Sequence, residues 1–143
     1  MFDGILVAVD GSDQSMVAAE KAVQLAADQG AELHVLFVAE IHPTYTRQGG
    51  SILAQDEEQP EQIEYGEQVT GEVADMAQDA GVECVSLVKS GTPSHVINDY
   101  AEKEELDLIV MGTYGRSGIR DRLTGSTTER VIRKSTKSVL AVR

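Results

Sequence analysis

Glycine and hydroxyl residues near the C-terminus have the types and spacing of a phosphate-binding segment. Gly112-Thr113-Tyr114-Gly115 is followed, after nine residues, by Gly125-Ser126-Thr127-Thr128. Glycine lets a backbone approach a ligand closely, and the N–H groups that begin a helix attract anions. The pattern G-x2-G-x9-G-S is neither the Walker A loop nor the tight G-x-G-x-x-G of dinucleotide folds. It predicts a phosphate site of a different kind.

The charge of the chain changes sign close to these glycines. The whole chain holds 12 Lys and Arg against 24 Asp and Glu, a formal net charge of −12. Residues 115–143 hold eight basic and two acidic residues, a net of +6, and residues 1–114 hold four basic and 22 acidic, a net of −18. An anionic ligand accounts for this asymmetry better than a solvated basic face, which stays the alternative.

Individual basic side chains carry this argument to different degrees. Arg116 follows the glycines directly and is predicted to reach a phosphate, whereas Arg120 and Arg122 fit solvent or an intermolecular contact equally well. The acidic remainder of the chain disfavours binding to nucleic acid.

Length and composition indicate one globular domain, residues 1–143. We find neither a leader-like start nor an apolar run of membrane-spanning length, so we expect a cytoplasmic protein with no membrane association. Cys84 is the only cysteine, which excludes an internal disulfide, and its apolar surroundings favour an inert strand thiol.

Strands and helices are predicted to alternate along the chain. Five apolar runs have strand character, and the segments between them have helical spacing of apolar residues. Such alternation is typical of an α/β fold with a parallel sheet and helices on both faces, Rossmann-like in architecture. The predicted strands are 5–9, 32–38, 83–88, 106–111 and 138–142, and the predicted helices are 13–29, 61–80, 93–104 and 126–134.

Ligands of such sheets bind beyond the carboxyl ends of the strands, where the strand order reverses. Asp10 ends the first strand and the glycine loop ends the fourth, so the two meet if these strands are neighbours. Asp10 could accept hydrogen bonds from a nucleoside, or it could shape the turn into a helix capped by Ser12 or Asp13. Ser126 has a similar double interpretation, as the N-cap of a capping box with Glu129 and as a phosphate contact.

Residues 40–60 interrupt the regular pattern with two prolines, Gly49-Gly50 and a short acidic run. A connection of this length is typical of a flexible loop or a functional lid, and we keep both interpretations. The three histidines have no partner at metal-ligand or triad spacing, and no serine has the context of a nucleophile. We therefore predict no catalytic residues and no metal site.

The assembled motifs resemble those of the universal stress protein family over nearly the whole chain. The matching runs are Ile5-Leu6-Val7-Ala8-Val9-Asp10-Gly11-Ser12, then Leu108-Ile109-Val110-Met111-Gly112-Thr113-Tyr114-Gly115-Arg116-Ser117-Gly118, then Gly125-Ser126-Thr127-Thr128-Glu129-Arg130-Val131-Ile132-Arg133, and finally Ser138-Val139-Leu140-Ala141-Val142. The departures are Ser138, where a proline is usual, and residues 40–60, which match no family motif.

This resemblance implies a five-stranded parallel sheet of order 3-2-1-4-5 and a homodimer that pairs the last strands, residues 138–142. It also implies an adenine-nucleotide site, because the ATP-binding members keep the G-x2-G-x9-G-S/T pattern. Carried over by position, Asp10 and the backbone of Val38 contact the adenosine part of ATP. Gly112, Gly115 and Arg116 border the ribose and phosphates, and Gly125, Ser126, Thr127 and Thr128 bind phosphates.

The function implied is a stress or signalling protein that changes the shape it presents to protein partners when ATP, accompanied at most by Mg²⁺, is bound. A slow ATPase or autophosphorylating enzyme at the same site is the alternative, which the lack of a general base and a metal cluster disfavours. An adenylating enzyme of the ATP pyrophosphatase group fits poorly, because its phosphate loop follows the first strand.

Overall fold

The computed structural model describes residues 1–57, 59–113 and 125–143. In chain order they form β1 (Gly4–Ala8), α1 (Asp13–Gln29), β2 (Glu32–Ala39), β3 (His42–Gln48), β4 (Ser51–Glu57), α2 (Pro60–Asp79), β5 (Cys84–Ser90), α3 (Pro93–Lys103), β6 (Leu108–Gly112), α4 (Ser126–Lys134) and β7 (Ser138–Val142).

The main sheet of the described residues has five parallel strands in the order β5-β2-β1-β6-β7. The hairpin strands β3 and β4 stand apart, so the five predicted strands follow the predicted order 3-2-1-4-5. β1 lies at the centre, and Ile5, Leu6 and Val7 are fully buried. A central parallel strand is covered on both faces, which explains its continuous apolar run.

Alternate side chains of β1 face two separate cores. Ile5 and Val7 belong to the core beneath α1 and α2, which includes Val73 of α2. Leu6 packs into the other core, with Ile97 of α3 and Val131 of α4. This alternation follows from the period of two along a strand, and it confirms the predicted α/β fold with helices on both faces.

Residues 42–57 form an antiparallel hairpin of β3 and β4, which the sequence did not predict. Its two-residue turn is Gly49-Gly50, with φ of 60° and 83°. Two consecutive residues at positive φ match the right-handed twist of the flanking strands, and glycine adopts this conformation without strain. The segment therefore has regular structure, and its role as a lid stays a prediction.

Helix ends agree with the sequence in part. Ser12 is the N-cap of α1 and accepts a hydrogen bond from the Ser15 N–H at 3.2 Å, and Gly30 ends this helix at φ 66°. The predicted capping box of α4 is wrong, because Gly125 rather than Ser126 is the N-cap. Glu129 instead forms an ion pair with Arg133 at 2.7 Å, a separation of four residues that a helix surface favours.

Hydrogen bonds tie the amino ends of the central strands together. Asp107 Oδ2 accepts from the Asp3 N–H at 2.8 Å and from the Gly4 N–H at 3.0 Å, which lowers the pKa of the Asp107 carboxyl. The Asp107 N–H in turn donates to the Gly4 carbonyl at 2.8 Å, and the Glu32 N–H donates to the Asp3 carbonyl at 2.9 Å. Backbone donors of β1, β2 and β6 are thereby satisfied at this edge.

A buried histidine belongs to the same half of the sheet. His34 of β2 has its Nε2 2.5 Å from a Glu32 carboxylate oxygen and its Nδ1 2.6 Å from the Tyr100 hydroxyl of α3. Both ring nitrogens thus have partners that were not evident from the sequence. Burial, followed by the charges of Glu104 and Glu32, raises the pKa of Tyr100. The histidine joins β2 to α3 in the core.

Two sequence expectations concern the surface of the fold. Cys84 is half-buried at the start of β5, and burial raises the pKa of its thiol, which keeps it in the less reactive protonated form. Among the described residues, none of the helices is both long and apolar enough to cross a membrane.

Candidate nucleotide site

A cavity of about 440 Å³ lies at the carboxyl ends of β1, β2 and β6. These strands are adjacent, as the predicted meeting of Asp10 with the glycine segment requires, and Asp10 lines the same cavity as Gly112 and Gly125. The cavity is lined by Ala8, Val9, Asp10, Ser15, Leu36, Phe37, Val38, Glu40, Gln62, Pro93, Ile97, Met111, Gly112, Gly125, Ser126, Thr127 and Thr128.

Asp10 both shapes a turn and lines this cavity. Its Oδ1 accepts from the Ser12 N–H at 2.9 Å and from the Ser12 hydroxyl at 2.5 Å, and its own N–H donates to the Ser15 hydroxyl at 3.2 Å. The two interpretations of Asp10 that the sequence left open are therefore compatible. The turn fixes the Asp10 carboxylate at the carboxyl end of the central strand, β1.

Close packing brings α1 and α2 against the strand ends. A Cβ on Gly112 would lie 3.0 Å from the Gln14 carbonyl oxygen, so a side chain there would require the end of β6 and the start of α1 to shift apart by a few tenths of an ångström. At Gly11, where φ is +84°, a Cβ would overlap with the hydroxyl oxygen of Tyr65 from α2. Glycine at these two positions keeps the turns around the cavity compact.

The start of α4 lines the cavity with backbone N–H groups. The first N–H groups of a helix have no acceptor within the helix, and no described side chain caps this one. The Gly125 N–H donates to the Thr113 carbonyl, and the Thr128 hydroxyl donates to the Gly112 carbonyl at 2.8 Å. These two bonds fix the helix start against β6. The positive end of the helix dipole therefore faces the cavity.

The charges that line the cavity are distributed unevenly among the described residues. Asp10 follows β1 and Glu40 follows β2, and both carry carboxylates. The start of α4 lies beyond β6, on the other side of β1. The cavity thus has carboxylates at its centre and towards β2, and helix N–H donors beyond β6, as a ligand with both hydroxyl or amino donors and an anionic group requires.

Phe37, Val38 and Gln62 form part of the cavity wall near β2. The aromatic ring of Phe37 packs edge-on against Tyr65, with ring centroids 5.8 Å apart. Gln62, in the first turn of α2, was not among the predicted site residues. Its Oε1 accepts from the Glu40 N–H at 3.2 Å, and its Nε2 donates to Gln59 Oε1 at 2.9 Å.

Most of the predicted site residues meet at this single cavity, namely Asp10, Val38, Gly112, Gly125, Ser126, Thr127 and Thr128. Gly115 and Arg116 lie outside the described residues. Sequence reasoning missed Gln62, Pro93 and Ile97, which the fold brings to the cavity from α2 and α3. The described part of the chain contains no group of three or more metal-binding side chains.

A doubly wound parallel sheet with a cavity at the point where strand order reverses defines a ligand-binding α/β domain. The family model of the universal stress protein family matches residues 1–143. The chain is 35% identical over 148 residues to the universal stress protein YxiE of Bacillus subtilis, with all of both chains covered. It therefore belongs to the universal stress protein family.

Solved structures agree with this assignment. A universal stress protein in complex with cAMP has a TM-score of 0.73 and 26% identity, with 99% of this chain and 97% of that chain covered. The universal stress protein from Archaeoglobus fulgidus in complex with dAMP also has a TM-score of 0.73, at 23% identity, with 99% and 98% covered. The second likeness concerns the fold alone.

Proposed function

We propose that this protein binds an adenine nucleotide, with ATP as the expected ligand, and acts in stress response or signalling through the shape that its bound form presents to protein partners. The observation that carries the proposal is a cavity with carboxylates after β1 and β2 and, beyond β6, the start of a helix that no described side chain caps. Adenosine offers hydroxyl and amino donors, and phosphates suit a helix start. The universal stress protein solved in complex with cAMP supports the same ligand class.

The spacing of the strands favours one orientation of the nucleotide in the cavity. Neighbouring strands lie about 4.8 Å apart, so the ends of β2 and β6 are separated by roughly 10 Å across β1. This span suits a nucleoside whose base lies near Val38 and whose phosphates lie near Gly125–Thr128. The reverse orientation would bring phosphates against the Glu40 carboxylate, which Coulomb repulsion disfavours.

The direct test is to denature freshly purified protein and identify the released nucleotide by chromatography, followed by calorimetric titration of nucleotide-free protein with ATP, AMP and cAMP. We expect an adenine nucleotide to be released and to rebind. Failure of all three to bind to folded protein would remove the proposal.

We expect turnover to be negligible. Hydrolysis needs an oriented water, usually a general base, and Mg²⁺ held by carboxylates. The carboxylates among the described lining residues, Asp10 and Glu40, lie towards the proposed base end, and Mg²⁺ enters only as a companion of the phosphates. Incubation with ATP should leave it intact. Steady-state phosphate release of about 1 s⁻¹ or faster that Gly125→Val abolishes would place the protein among enzymes.

Strand β7 is the proposed homodimer edge. It ends the main sheet, and Leu140 is 41% exposed. The Thr113 N–H donates to the Val142 carbonyl at 2.9 Å, so Val142, Leu140 and Ser138 bond to β6. Backbone groups alternate in direction along a strand, and those of Val139 and Ala141 therefore point outward, where a second copy can pair with them.

The register distinguishes two proline variants. Ala141→Pro removes an outward N–H and should give a folded monomer, because edge strands tolerate proline at such positions. Leu140→Pro removes a donor to β6 and should instead destabilise the sheet. Light scattering and thermal melting test both, and a wild-type monomer at micromolar concentration would contradict the proposed dimer.

The hairpin at residues 42–57 begins two residues after Glu40, which lines the cavity. We propose that this hairpin acts as a lid on the cavity. Residues 1–143 are proposed to form a single domain, and the cytoplasm is the proposed place where the protein acts.

A further inference from the structure

Gln62 lies in the cavity wall, where its side chain makes two hydrogen bonds. It lies in the first turn of α2, half-buried, beside Glu40 and the apolar residues Phe37 and Val38. Its amide oxygen accepts from the Glu40 N–H at 3.2 Å, and its amide nitrogen donates to Gln59 at 2.9 Å. One side chain thus bonds to residues on either side of the β3–β4 hairpin.

The chemistry of these two partners determines which way the amide points. A backbone N–H can only donate, so the Gln62 atom that faces Glu40 must be the oxygen. The nitrogen then lies on the side of Gln59, whose Oε1 accepts from it. A rotation by 180° that exchanges oxygen and nitrogen would set two donors against each other at Glu40.

Each atom of this amide keeps unused bonding capacity. A side-chain amide has two lone pairs on oxygen and two N–H donors, and Gln62 uses one of each on other described residues. One acceptor and one donor remain side by side on a group that lines the cavity. This pair matches adenine, whose N6 amino group donates and whose N7 accepts. Guanine presents the O6 acceptor where Gln62 also presents an acceptor.

We propose that Gln62 is the residue that selects a 6-aminopurine, its oxygen accepting from N6 and its nitrogen donating to N7. This inference rests on the proposed nucleotide site and deepens it. N6 carries two hydrogens, so a bond to Gln62 leaves the second hydrogen and N1 for the backbone of Val38. Phe37 is a buried apolar part of the same cavity wall, so a mismatched polar pair against Gln62 is costly.

The test compares ATP with 7-deaza-ATP, which replaces only N7 by a C–H group, and with inosine triphosphate, which replaces the N6 amino group by oxygen. We expect wild-type protein to bind 7-deaza-ATP about three- to tenfold more weakly than ATP, and inosine triphosphate at least about tenfold more weakly. Gln62→Leu should bind ATP and 7-deaza-ATP equally and should lose most of its preference over inosine triphosphate. Gln68→Leu, at an exposed position of the same helix, is the matched control and should retain both preferences.

The outcomes separate the inference from the proposed function. If no nucleotide binds to folded wild-type protein, the proposed function fails. If ATP binds but 7-deaza-ATP binds as tightly, the selection by Gln62 is wrong and the nucleotide site stands. A Gln62→Leu protein that binds all three ligands more weakly by one common factor would show that Gln62 only supports the hairpin, which also overturns the inference. Should Gln62→Leu fail to fold, Gln62→Met, with an unbranched side chain, answers the same question.

Discussion

The two edges of the central sheet, the amino ends and the carboxyl ends of the same strands, differ in how completely their polar groups are paired. At the amino edge, Asp107 accepts from both Asp3 and Gly4, and its own N–H, just before β6, donates to the Gly4 carbonyl of β1. At the carboxyl edge, no described side chain caps α4. Gln14 Oε1 and Thr113 Oγ1 also lie buried there without a hydrogen-bond partner among the described residues.

This contrast separates stability from ligand binding within one sheet. A buried polar atom without a partner costs about 1–3 kcal/mol, and such atoms concentrate where function requires them. The bonds at the amino edge hold the strands in register, so that the carboxyl edge can leave donors open for a ligand. Substitutions at the carboxyl edge should therefore change the affinity for the ligand. Substitutions at the amino edge should instead change the free energy of unfolding.

The strongest test of the contrast is Gly125→Val. At φ −68° and ψ 161° the Gly125 backbone adopts a conformation open to any residue, so the fold should survive. The branched side chain would project where phosphates approach the helix start, and ATP affinity should fall at least about a hundredfold, equivalent to about 2.7 kcal/mol. Calorimetry measures the affinity and thermal melting the fold.

Gly71→Val is the matched control for this variant, because a Cβ on Gly71 of α2 would meet no atom within 4 Å. It should change ATP affinity little. Unchanged affinity in folded Gly125→Val would mean that the phosphates bind elsewhere.

A smaller effect is expected at Asp10. Loss of hydrogen bonds to a charged acceptor costs about 1.5–3 kcal/mol, so Asp10→Ala should weaken adenosine and ATP by the same factor of roughly ten to a hundred. Titration with both ligands measures the two factors. Ser12→Ala removes one of the turn bonds to Asp10 but keeps the carboxylate, and it should reduce affinity less. A loss confined to ATP would place Asp10 near the phosphates instead.

The smallest effect belongs to the amino edge. The bonds from Asp3 and Gly4 to Asp107 lower its folded pKa, so their stabilisation is present above the unfolded pKa of about 3.9 and is lost as the pH falls through the folded pKa. Asp107→Asn should lower the melting temperature slightly at neutral pH, and its difference from wild type should vanish in acid. ATP affinity should not change, and a marked change would show that the two edges are coupled.

Sequence periodicity was sufficient to predict the main sheet and its helices, because continuous apolar runs and caps such as Ser12 and Gly30 are local signals. The hairpin was missed because Pro43 and Gly49-Gly50 were interpreted as signs of a loop. The alternating Thr44-Tyr45-Thr46 and a two-glycine turn could have identified it.

In the candidate site, too, residues with a local sequence signal were predicted, and a residue without one was missed. Asp10 and Gly125–Thr128 belong to segments whose spacing carries the chemistry, and they were predicted. The predicted capping box at Ser126 was wrong because glycine also serves as an N-cap. Glu129 instead forms an ion pair with Arg133. Gln62 has no local signal, because only tertiary packing brings the start of α2 to the end of β2.

The central position of β1 also has a consequence for synthesis of the chain. The bond from Asp3 to Asp107 joins residues 104 positions apart, and one side of β1 pairs only with β6. Ribosomes add about 5–20 residues per second, so β1 emerges roughly 5–20 s before the strand that covers this side. Until then this apolar strand has an open edge on that side. During synthesis, the backbone groups of β1 that pair with β6 in the folded sheet therefore stay unpaired for most of the time.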